Sequence, residues 1–281
     1  MSEKVKLIAL DMDGTLFNDK LEIPFENQRM IRAAVAAGVH VIISTGRPYV
    51  GLAVEMLADL GISYVITSNG GGIYRIPEKE CVFSKCIPPE ISVPMIRYLQ
   101  TKDIVYDACI DGIRYRESKC QHIVGRLTQY PEATRLFLEN NPILVEDLAA
   151  FIEKQQHHVE KMTLNFYPLS DGSFMDREEV WNYLSSNSAV TVVSGGCENI
   201  ECTLAGTTKA NGLRFLAKLL GVPMESTMAC GDAQNDADIV RAAAIGVAME
   251  NASDDLKAIA DFVTKSNNDS GVAHAIEKFV F

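Results

Sequence analysis

A short apolar run that ends abruptly in two aspartates constrains this chain more than any other stretch. Residues 5–10 are apolar apart from Lys6, and Asp11, Asp13 and Gly14 follow. A run of this kind predicts a strand that is buried on both faces, as in a parallel sheet covered by helices. If the backbone stays extended past the run, residues two apart face the same side, and both carboxylates project together from the carboxyl end of a central strand. Open α/β sheets bind ligands at that edge.

Two adjacent carboxylates carry an electrostatic cost that limits their roles. At about 4 Å and an effective dielectric constant of about 20, two like charges repel by about 4 kcal/mol. Either one carboxyl group is protonated, which makes it a general acid, or a cation lies between the two. Mg²⁺ is the expected cation, because it is bound by few carboxylates and several waters. The structural alternative is an Asp/Gly turn at a strand end.

Composition limits the classes of partner. The 281 residues include 37 acidic and 26 basic side chains, for a net charge of −11 at pH 7. Nothing supplies a basic face, so neither nucleic acid nor a membrane is expected as a partner. An anionic small molecule is compatible with this charge, since a bound metal reverses the local sign. The seven cysteines include no Cys-x-x-Cys pair, and neither a signal peptide nor a membrane-length apolar run is visible, so we expect a cytoplasmic location.

The order of predicted elements divides the chain into a core and an insertion. Residues 1–84 alternate strands and helices, which is typical of a doubly wound parallel sheet. Residues 85–195 mix helices with hairpins, one of them around Asp111-Gly112, and predict an inserted α+β domain. The alternating order resumes in residues 196–281. We therefore expect an α/β fold: a doubly wound parallel-sheet core of residues 1–84 and 196–281, with an inserted α+β cap domain of residues 85–195.

Three local predictions belong to this scheme. Pro48 is expected to open a helix that ends near Leu60, because proline suits the first turn of a helix. Another helix is expected over residues 145–155. The apolar segment at residues 200–204 is expected to be a strand of the resumed core.

Polar side chains cluster where the predicted core strands end. In a doubly wound sheet the carboxyl ends of the strands lie along one edge, so residues far apart in sequence can share one site. The residues expected to converge are Asp11, Asp13, Thr45, Asn69, Lys209, Asp232, Asn235 and Asp236.

These clusters resemble the ordered motifs of the haloacid dehalogenase (HAD) superfamily, and most of all those of its Cof-type subfamily (type IIB) of sugar-phosphatase-like hydrolases. The matching segments are Asp11-Met12-Asp13-Gly14-Thr15, Thr45-Gly46-Arg47-Pro48-Tyr49, Asn69-Gly70, Thr208-Lys209 and Gly231-Asp232-x-x-Asn235-Asp236. The set covers essentially the whole chain and includes an inserted cap of the family's place and size.

The resemblance implies a Mg²⁺-dependent phosphomonoester hydrolase that acts on small phosphorylated metabolites, above all sugar phosphates. It implies that Asp11 is the nucleophile, ionised at neutral pH, which forms an aspartyl-phosphate. Asp13 is then the general acid for the leaving oxygen and later the base for the attacking water. Thr45 is implied to hydrogen-bond the transferring phosphoryl group, and Lys209 to act on it as a positive point charge.

The resemblance also implies the binding residues. The implied metal ligands are Asp11, Asp13 through its carbonyl, and Asp232. Asp236 is implied to belong to the same metal site and to orient its ligands. The implied substrate contacts are Arg47, Asn69, Gly70 and Asn235. Structural alternatives stay open for three of the candidate site residues: a surface salt bridge for Arg47, a turn position for Asn69 and a solvated helix start for Lys209.

Two other functions fit the same aspartates. One is a phosphomutase on hexose phosphates, and the other is a non-catalytic regulator that binds phosphometabolites. The cap is implied to close over the core and to read the non-phosphate part of the substrate. Candidate contacts in the cap are Tyr106, Arg114, Tyr115, Arg116, Asn165 and Tyr167. A monomer or a homodimer is expected.

Overall fold

The computed structural model describes residues 4–194 and 198–281, and these divide into two units. Unit 1 contains the chain up to Arg47, Gly51–Phe83 and Thr208–Phe281, and unit 2 contains Pro48–Val50 and Ser84–Thr207.

The elements have the following bounds. The strands are β1 (Leu7–Leu10), β2 (His40–Ser44), β3 (Tyr64–Thr67), β4 (Gly72–Arg75), β5 (Glu80–Ser84), β6 (Val105–Ile110), β7 (Ile113–Glu117), β8 (Ile143–Val145), β9 (Lys161–Asn165), β10 (Val190–Ser194), β11 (Ile200–Leu204), β12 (Thr227–Gly231), β13 (Ile245–Ala248) and β14 (Phe262–Val263). The helices are α1 (Phe25–Ala36), α2 (Val54–Asp59), α3 (Pro89–Leu99), α4 (Glu132–Asn140), α5 (Leu148–Gln155), α6 (Arg177–Ser185), α7 (Lys209–Leu219), α8 (Ala237–Ala242), α9 (Asp254–Ile259) and α10 (Gly271–Val280). Within the described ranges, no helix combines the length and apolar content that a membrane crossing requires.

Unit 1 is built around an eight-stranded sheet in the order β14-β13-β12-β1-β2-β3-β4-β5. The strands from β14 to β3 run parallel, and β4 pairs antiparallel with β3. All four residues of β1 are buried, as a central strand covered on both faces requires. Leu213 and Leu216 of α7 share one apolar core with Leu7 and Ile42 of the sheet. The predicted α/β fold with a parallel sheet is confirmed, and its parallel order brings the ends of β12, β1, β2 and β3 to one edge.

Unit 2 is an α+β structure around a six-stranded sheet in the order β10-β11-β9-β6-β7-β8. Its pairs are antiparallel except for β7 with β8. The β6–β7 turn is made by Asp111 at φ 49° and Gly112 at φ 73°, the left-handed pair that a tight hairpin turn needs. Side chains of α3, α5 and α6 pack against this sheet in one apolar core.

The segment assigned to the resumed core at residues 200–204 lies elsewhere. It forms β11, which pairs with β9 and β10 of unit 2. The second boundary therefore falls between Thr207 and Thr208, whereas the sequence placed it after residue 195, and the first falls between Phe83 and Ser84. The apolar pattern identified the strand, but periodicity contains no information about which sheet a strand joins.

Two helix predictions were wrong at their starts. Residues Tyr49–Gly51 form one 3-10 turn, and α2 begins only at Val54. The helix predicted over residues 145–155 begins at Leu148, where the Asp147 side chain accepts a hydrogen bond from the Ala150 N–H as an N-cap. The segment Ile143–Val145, which precedes this N-cap, forms β8. The sequence did not predict this strand, because an edge strand of three residues leaves almost no periodic signal.

Candidate active site

The first strand delivers Asp11 into a buried ion cluster. Lys209, the first residue of α7, donates from Nζ to Asp11 Oδ1 at 2.6 Å and to Asp236 Oδ1 at 2.7 Å. The Lys209 side chain is fully buried, so the solvated alternative does not apply. Burial alone would lower the pKa of Lys209, but the two carboxylates outweigh it and raise this pKa, so the ammonium group stays charged.

Asp236 connects this cluster to the loop that follows β12. Its Oδ2 accepts hydrogen bonds from the backbone N–H groups of Asp232 at 3.1 Å and Ala233 at 3.0 Å. Gly231 approaches Asp236 so closely that a Cβ there would overlap the Asp236 side chain. The fully buried Asp236 therefore determines the course of the backbone that presents Asp232.

Three carboxylates form a group that could hold a metal ion. One oxygen from each of Asp11, Asp232 and Asp236 lies within 4.8 Å of the others. Burial, and then the nearby Asp236, raises the pKa of Asp232 to about 6. Burial also raises the pKa of Asp11 well above its ordinary value, although Lys209 opposes this. A divalent cation would lower both values, and the all-oxygen donor set suits a hard cation.

The loop after β1 supports this group. The Thr15 hydroxyl donates to Asp232 Oδ1 at 3.0 Å, which orients that carboxylate. Gly14 has φ 76° and lies against Asp232, where a Cβ would overlap the carboxylate. Both the left-handed backbone and the close approach therefore require glycine at this position. Sequence reasoning assigned no role to Thr15, since it was seen only as part of a motif.

Asp13 lies beyond the end of the first strand and is bound by Arg47. β1 ends at Leu10 and the chain turns, with an isolated bridge between Asp13 and Phe17, so the alternation of an extended strand does not continue. Arg47 donates a hydrogen bond to each oxygen of the Asp13 carboxylate, from Nε to Oδ2 at 2.8 Å and from Nη2 to Oδ1 at 2.5 Å. The extended backbone past Leu10, on which the expectation of two parallel carboxylates depended, is not present, and Arg47 forms a salt bridge with Asp13 itself.

The ends of β2 and β3 are joined by backbone hydrogen bonds around Thr45. The Thr45 N–H donates to the Ile66 carbonyl at 2.8 Å, and the Thr45 carbonyl accepts from the Asn69 N–H at 3.1 Å. The Thr45 hydroxyl accepts from the Arg47 N–H at 3.1 Å. Thr45 is therefore buried at the same edge as Asp11.

Asn69, Gly70 and Asn235 meet at this edge. Asn235 donates from Nδ2 to Asn69 Oδ1 at 3.1 Å. Asn69 has φ 56° and Gly70 φ 104°, so the loop adopts left-handed backbone at both positions. A Cβ at Gly70 would overlap the Thr208 carbonyl, which gives this glycine a packing reason that is independent of any substrate contact.

Most of the candidate contact residues of unit 2 are buried with partners inside that unit. Arg114 and Arg116 both bind Asp107, and the pKa of Asp107 is lowered because these guanidinium groups outweigh its burial. Tyr106 donates a hydrogen bond to Glu117, Tyr167 donates to Asp103, and Asn165 accepts one from Tyr130. Tyr115 lies in a ring contact with Phe151. These contacts support the unit 2 sheet, and sequence reasoning could not separate them from a binding surface.

A buried, lysine-paired aspartate beside an acidic cluster at the carboxyl edge of a parallel sheet is suited to phosphoryl transfer, a reaction that depends on positioning and electrostatic stabilisation. The chain belongs to the haloacid dehalogenase-like hydrolase family, whose pattern it matches over residues 8–276. The predicted resemblance is thereby confirmed, and the protein is an enzyme of the HAD phosphatase type.

Curated relatives match nearly the full length of the chain. The chain is 30% identical to phosphatase YwpJ of Bacillus subtilis strain 168, over 97% of this chain and 99% of that protein. It is 31% identical to 5-amino-6-(5-phospho-D-ribitylamino)uracil phosphatase YcsE of the same strain, over 98% of this chain and 96% of that protein.

Solved structures show the same fold. A haloacid dehalogenase-like hydrolase from B. subtilis has a TM-score of 0.81 at 28% identity, over 97% of this chain and 99% of that chain. The HAD subclass IIB sugar phosphatase BT4131 has a TM-score of 0.78 at 27% identity, over 98% of this chain and 99% of that chain.

Proposed function

We propose that this enzyme is a Mg²⁺-dependent phosphomonoester hydrolase of small phosphorylated metabolites, with sugar phosphates as its substrate class. The observation that carries the proposal is the buried Asp11 carboxylate, paired with Lys209 and grouped with Asp232 and Asp236. A buried nucleophile with fixed positive charge beside it suits attack on a phosphate, since that reaction depends on positioning and electrostatic stabilisation.

In the proposed first step, an Asp11 oxygen attacks phosphorus and the bond from phosphorus to the leaving oxygen breaks. Asp13 donates a proton to that oxygen, and the phosphoryl group stays on Asp11 as an aspartyl-phosphate. In the second step, water attacks phosphorus while Asp13 takes its proton. The bond from phosphorus to Asp11 then breaks, which releases phosphate and restores the carboxylate.

The surrounding residues have supporting roles in this proposal. Asp11, Asp232 and the Asp13 carbonyl would hold Mg²⁺, with Asp236 orienting the site. When bound, the metal supplies positive charge that lets an anionic phosphate approach an anionic nucleophile. Lys209 adds a fixed positive charge, and Thr45 hydrogen-bonds the phosphoryl group. Arg47 orients Asp13, which its two bonds to that carboxylate support.

The substrate class is supported by the relatives. YcsE is named for a phosphorylated ribityl compound, and BT4131 is named a sugar phosphatase. We propose that unit 2 is the cap that reads the non-phosphate part of the substrate, with Asn69, Gly70 and Asn235 near the phosphate. A cytoplasmic location is consistent with the six free cysteines found in the described residues.

The test is phosphate release from a panel of phosphorylated sugars, nucleotides and cofactors, with Mg²⁺ and with EDTA. Wild type is compared with Asp11→Asn and with a control, Asp254→Asn, which makes the same change at an exposed helix residue. We expect release that requires Mg²⁺, is abolished by Asp11→Asn and is unchanged by Asp254→Asn. ³¹P NMR of the products separates hydrolysis from isomerisation of a phosphosugar. No release by the wild type would refute the proposal, and an isomerised product would replace it with the mutase function.

A further inference from the structure

The loop that carries Asp13 is held by an asparagine outside every motif described above. Asn251, between β13 and α9, donates from Nδ2 to the Gly14 carbonyl at 2.8 Å. The same side chain accepts a hydrogen bond at Oδ1 from the Asn267 N–H at 3.0 Å. Its amide group therefore connects two segments of unit 1, one through Nδ2 and the other through Oδ1.

Asn267 and Asn268 hold the other end of the same loop. The Asn267 Nδ2 group donates to the Phe17 carbonyl and to Asp19 Oδ1, both at 3.1 Å, and the Asn267 residue is buried. Asn268 donates to Asp19 Oδ2 at 3.0 Å and accepts from the Asp19 N–H at 3.1 Å. We call Asn251, Asn267 and Asn268 the asparagine clamp.

The clamp acts on the part of the loop that places Asp13. Gly14 directly follows Asp13, and Phe17 forms an isolated bridge to Asp13. The two anchored carbonyls therefore belong to the two residues that are joined to Asp13, one by the peptide bond and one by the bridge. Gly14 has left-handed backbone that a glycine adopts freely but does not enforce. The hydrogen bond from Asn251 supplies the restraint that the glycine lacks.

We propose that Asn251 is a positioning residue for the acid–base work of Asp13, acting through the Gly14 carbonyl. The inference rests on the proposed function and assigns a role to a residue whose side chain hydrogen-bonds Gly14 and Asn267, neither of which is a proposed substrate contact or metal ligand. It predicts an effect that depends on how much the leaving group needs a proton, because Asp13 is the group that delivers it. A sugar alkoxide must be protonated as it leaves, whereas p-nitrophenolate leaves without a proton.

The experiment measures kcat/KM for a sugar phosphate and for p-nitrophenyl phosphate with the full-length enzyme and Mg²⁺. This ratio reports the steps up to phosphoryl transfer to Asp11. Asn251→Asp keeps the size and the acceptor but removes the donor to the Gly14 carbonyl. The control is Asn140→Asp, since Asn140 is an exposed asparagine whose Nδ2 donates to the Leu136 carbonyl at 2.9 Å.

We expect Asn251→Asp to lower kcat/KM for the sugar phosphate about tenfold or more, and for p-nitrophenyl phosphate by no more than about twofold. Asn140→Asp should change neither. Equal losses on both substrates would overturn the inference in favour of a purely structural role, and so would no loss on either. If the wild-type enzyme hydrolyses neither substrate, the proposed function is refuted, and the inference with it. Asp11→Asn must lose activity on both substrates, which shows that the measured hydrolysis takes place at the proposed site.

Discussion

Lys209 illustrates how one side chain holds a site together. Its ammonium group is fully buried between Asp11 and Asp236, at 2.6 and 2.7 Å from their Oδ1 atoms. The third carboxylate, Asp232, adds more negative charge to the same group. Removing the ammonium group from such a buried cluster leaves carboxylates without their ion-pair partner, which is costly.

Lys209→Met should therefore lower the free energy of unfolding by about 3–5 kcal/mol when measured by urea denaturation in EDTA. Saturating Mg²⁺ should reduce this loss, because a divalent cation neutralises the same carboxylates. Lys218→Met, at an exposed position of the same helix, is the control. A Lys209→Met protein as stable in EDTA as the Lys218→Met protein would contradict the buried cluster.

At the scale of elements, the loop after β3 and the start of α7 must approach closely. Gly70 packs against the Thr208 carbonyl, and Thr208 caps α7 by accepting a hydrogen bond from the Asn211 N–H. The position of Lys209 in the cluster depends on this contact. A side chain at Gly70 would move the start of the helix away from Asp11.

Gly70→Ala should lower kcat about 100-fold, because misplacement of a charged group by about 1 Å has effects of this size. The matched control is Gly38→Ala, where the glycine also has left-handed backbone, at φ 83°, but no atom lies within 4 Å of the added Cβ. The control should lose about 1–2 kcal/mol of stability from backbone strain alone and keep its kcat. Steady-state kinetics and thermal unfolding are measured for both variants. A kcat of Gly70→Ala equal to that of Gly38→Ala would show that Gly70 does not position the start of α7.

Asp147, the N-cap residue of α5, makes a pH-dependent contribution to the stability of the fold. Partial burial would raise the pKa of Asp147, but hydrogen bonds from the Ala150 N–H, Arg97 and Gln100 outweigh it and lower this pKa to about 2. Since the folded pKa lies below the unfolded one, the contribution is complete above about pH 4 and is lost as the pH falls towards 2.

Asp147→Asn keeps an N-cap side chain but removes the ionisable group. We expect its stability to fall less steeply than that of wild type between pH 4 and pH 2, in denaturation curves at each pH. Asp111→Asn, which makes the same change at an exposed turn residue of the same unit, provides the comparison. An unchanged slope in Asp147→Asn would contradict the assigned pKa.

At the scale of the whole molecule, the proposed chemistry belongs to unit 1. Asp11, Asp232, Asp236 and Lys209 are all in that unit, and each unit has an apolar core of its own. Binding stabilises the part of a protein that binds, by about 2.7 kcal/mol when the free ligand is at 100 times its Kd.

Mg²⁺ should therefore slow amide hydrogen exchange in residues 8–16 and 231–237 of unit 1, while the β6–β7 hairpin of unit 2 is unaffected. Hydrogen exchange with mass spectrometry measures both regions in one sample. Asp232→Asn should abolish the effect. Equal protection of the hairpin and the two loops would show that the metal acts outside the proposed site.

The sequence predicted much of the fold because its signals are local. Apolar runs and proline or glycine stops identified β1, β3 and α7 to within a few residues, and Asp111-Gly112 identified the β6–β7 turn. The failures have a common cause. The helix expected at Pro48 and the placement of β11 depend on packing partners that are distant in sequence, and no local pattern encodes them.

Motif order and hydrophobic periodicity are properties of the chain, so the fold class, the family and the set of polar residues at the strand ends could be predicted before any coordinates. The arrangement of those residues in space depends on tertiary packing. This packing placed Lys209 between Asp11 and Asp236, turned Asp13 towards Arg47, and brought Asn251 to the Gly14 carbonyl. Hydrogen bonds between residues far apart in the chain depend on three-dimensional distance, which folding creates and sequence spacing does not contain.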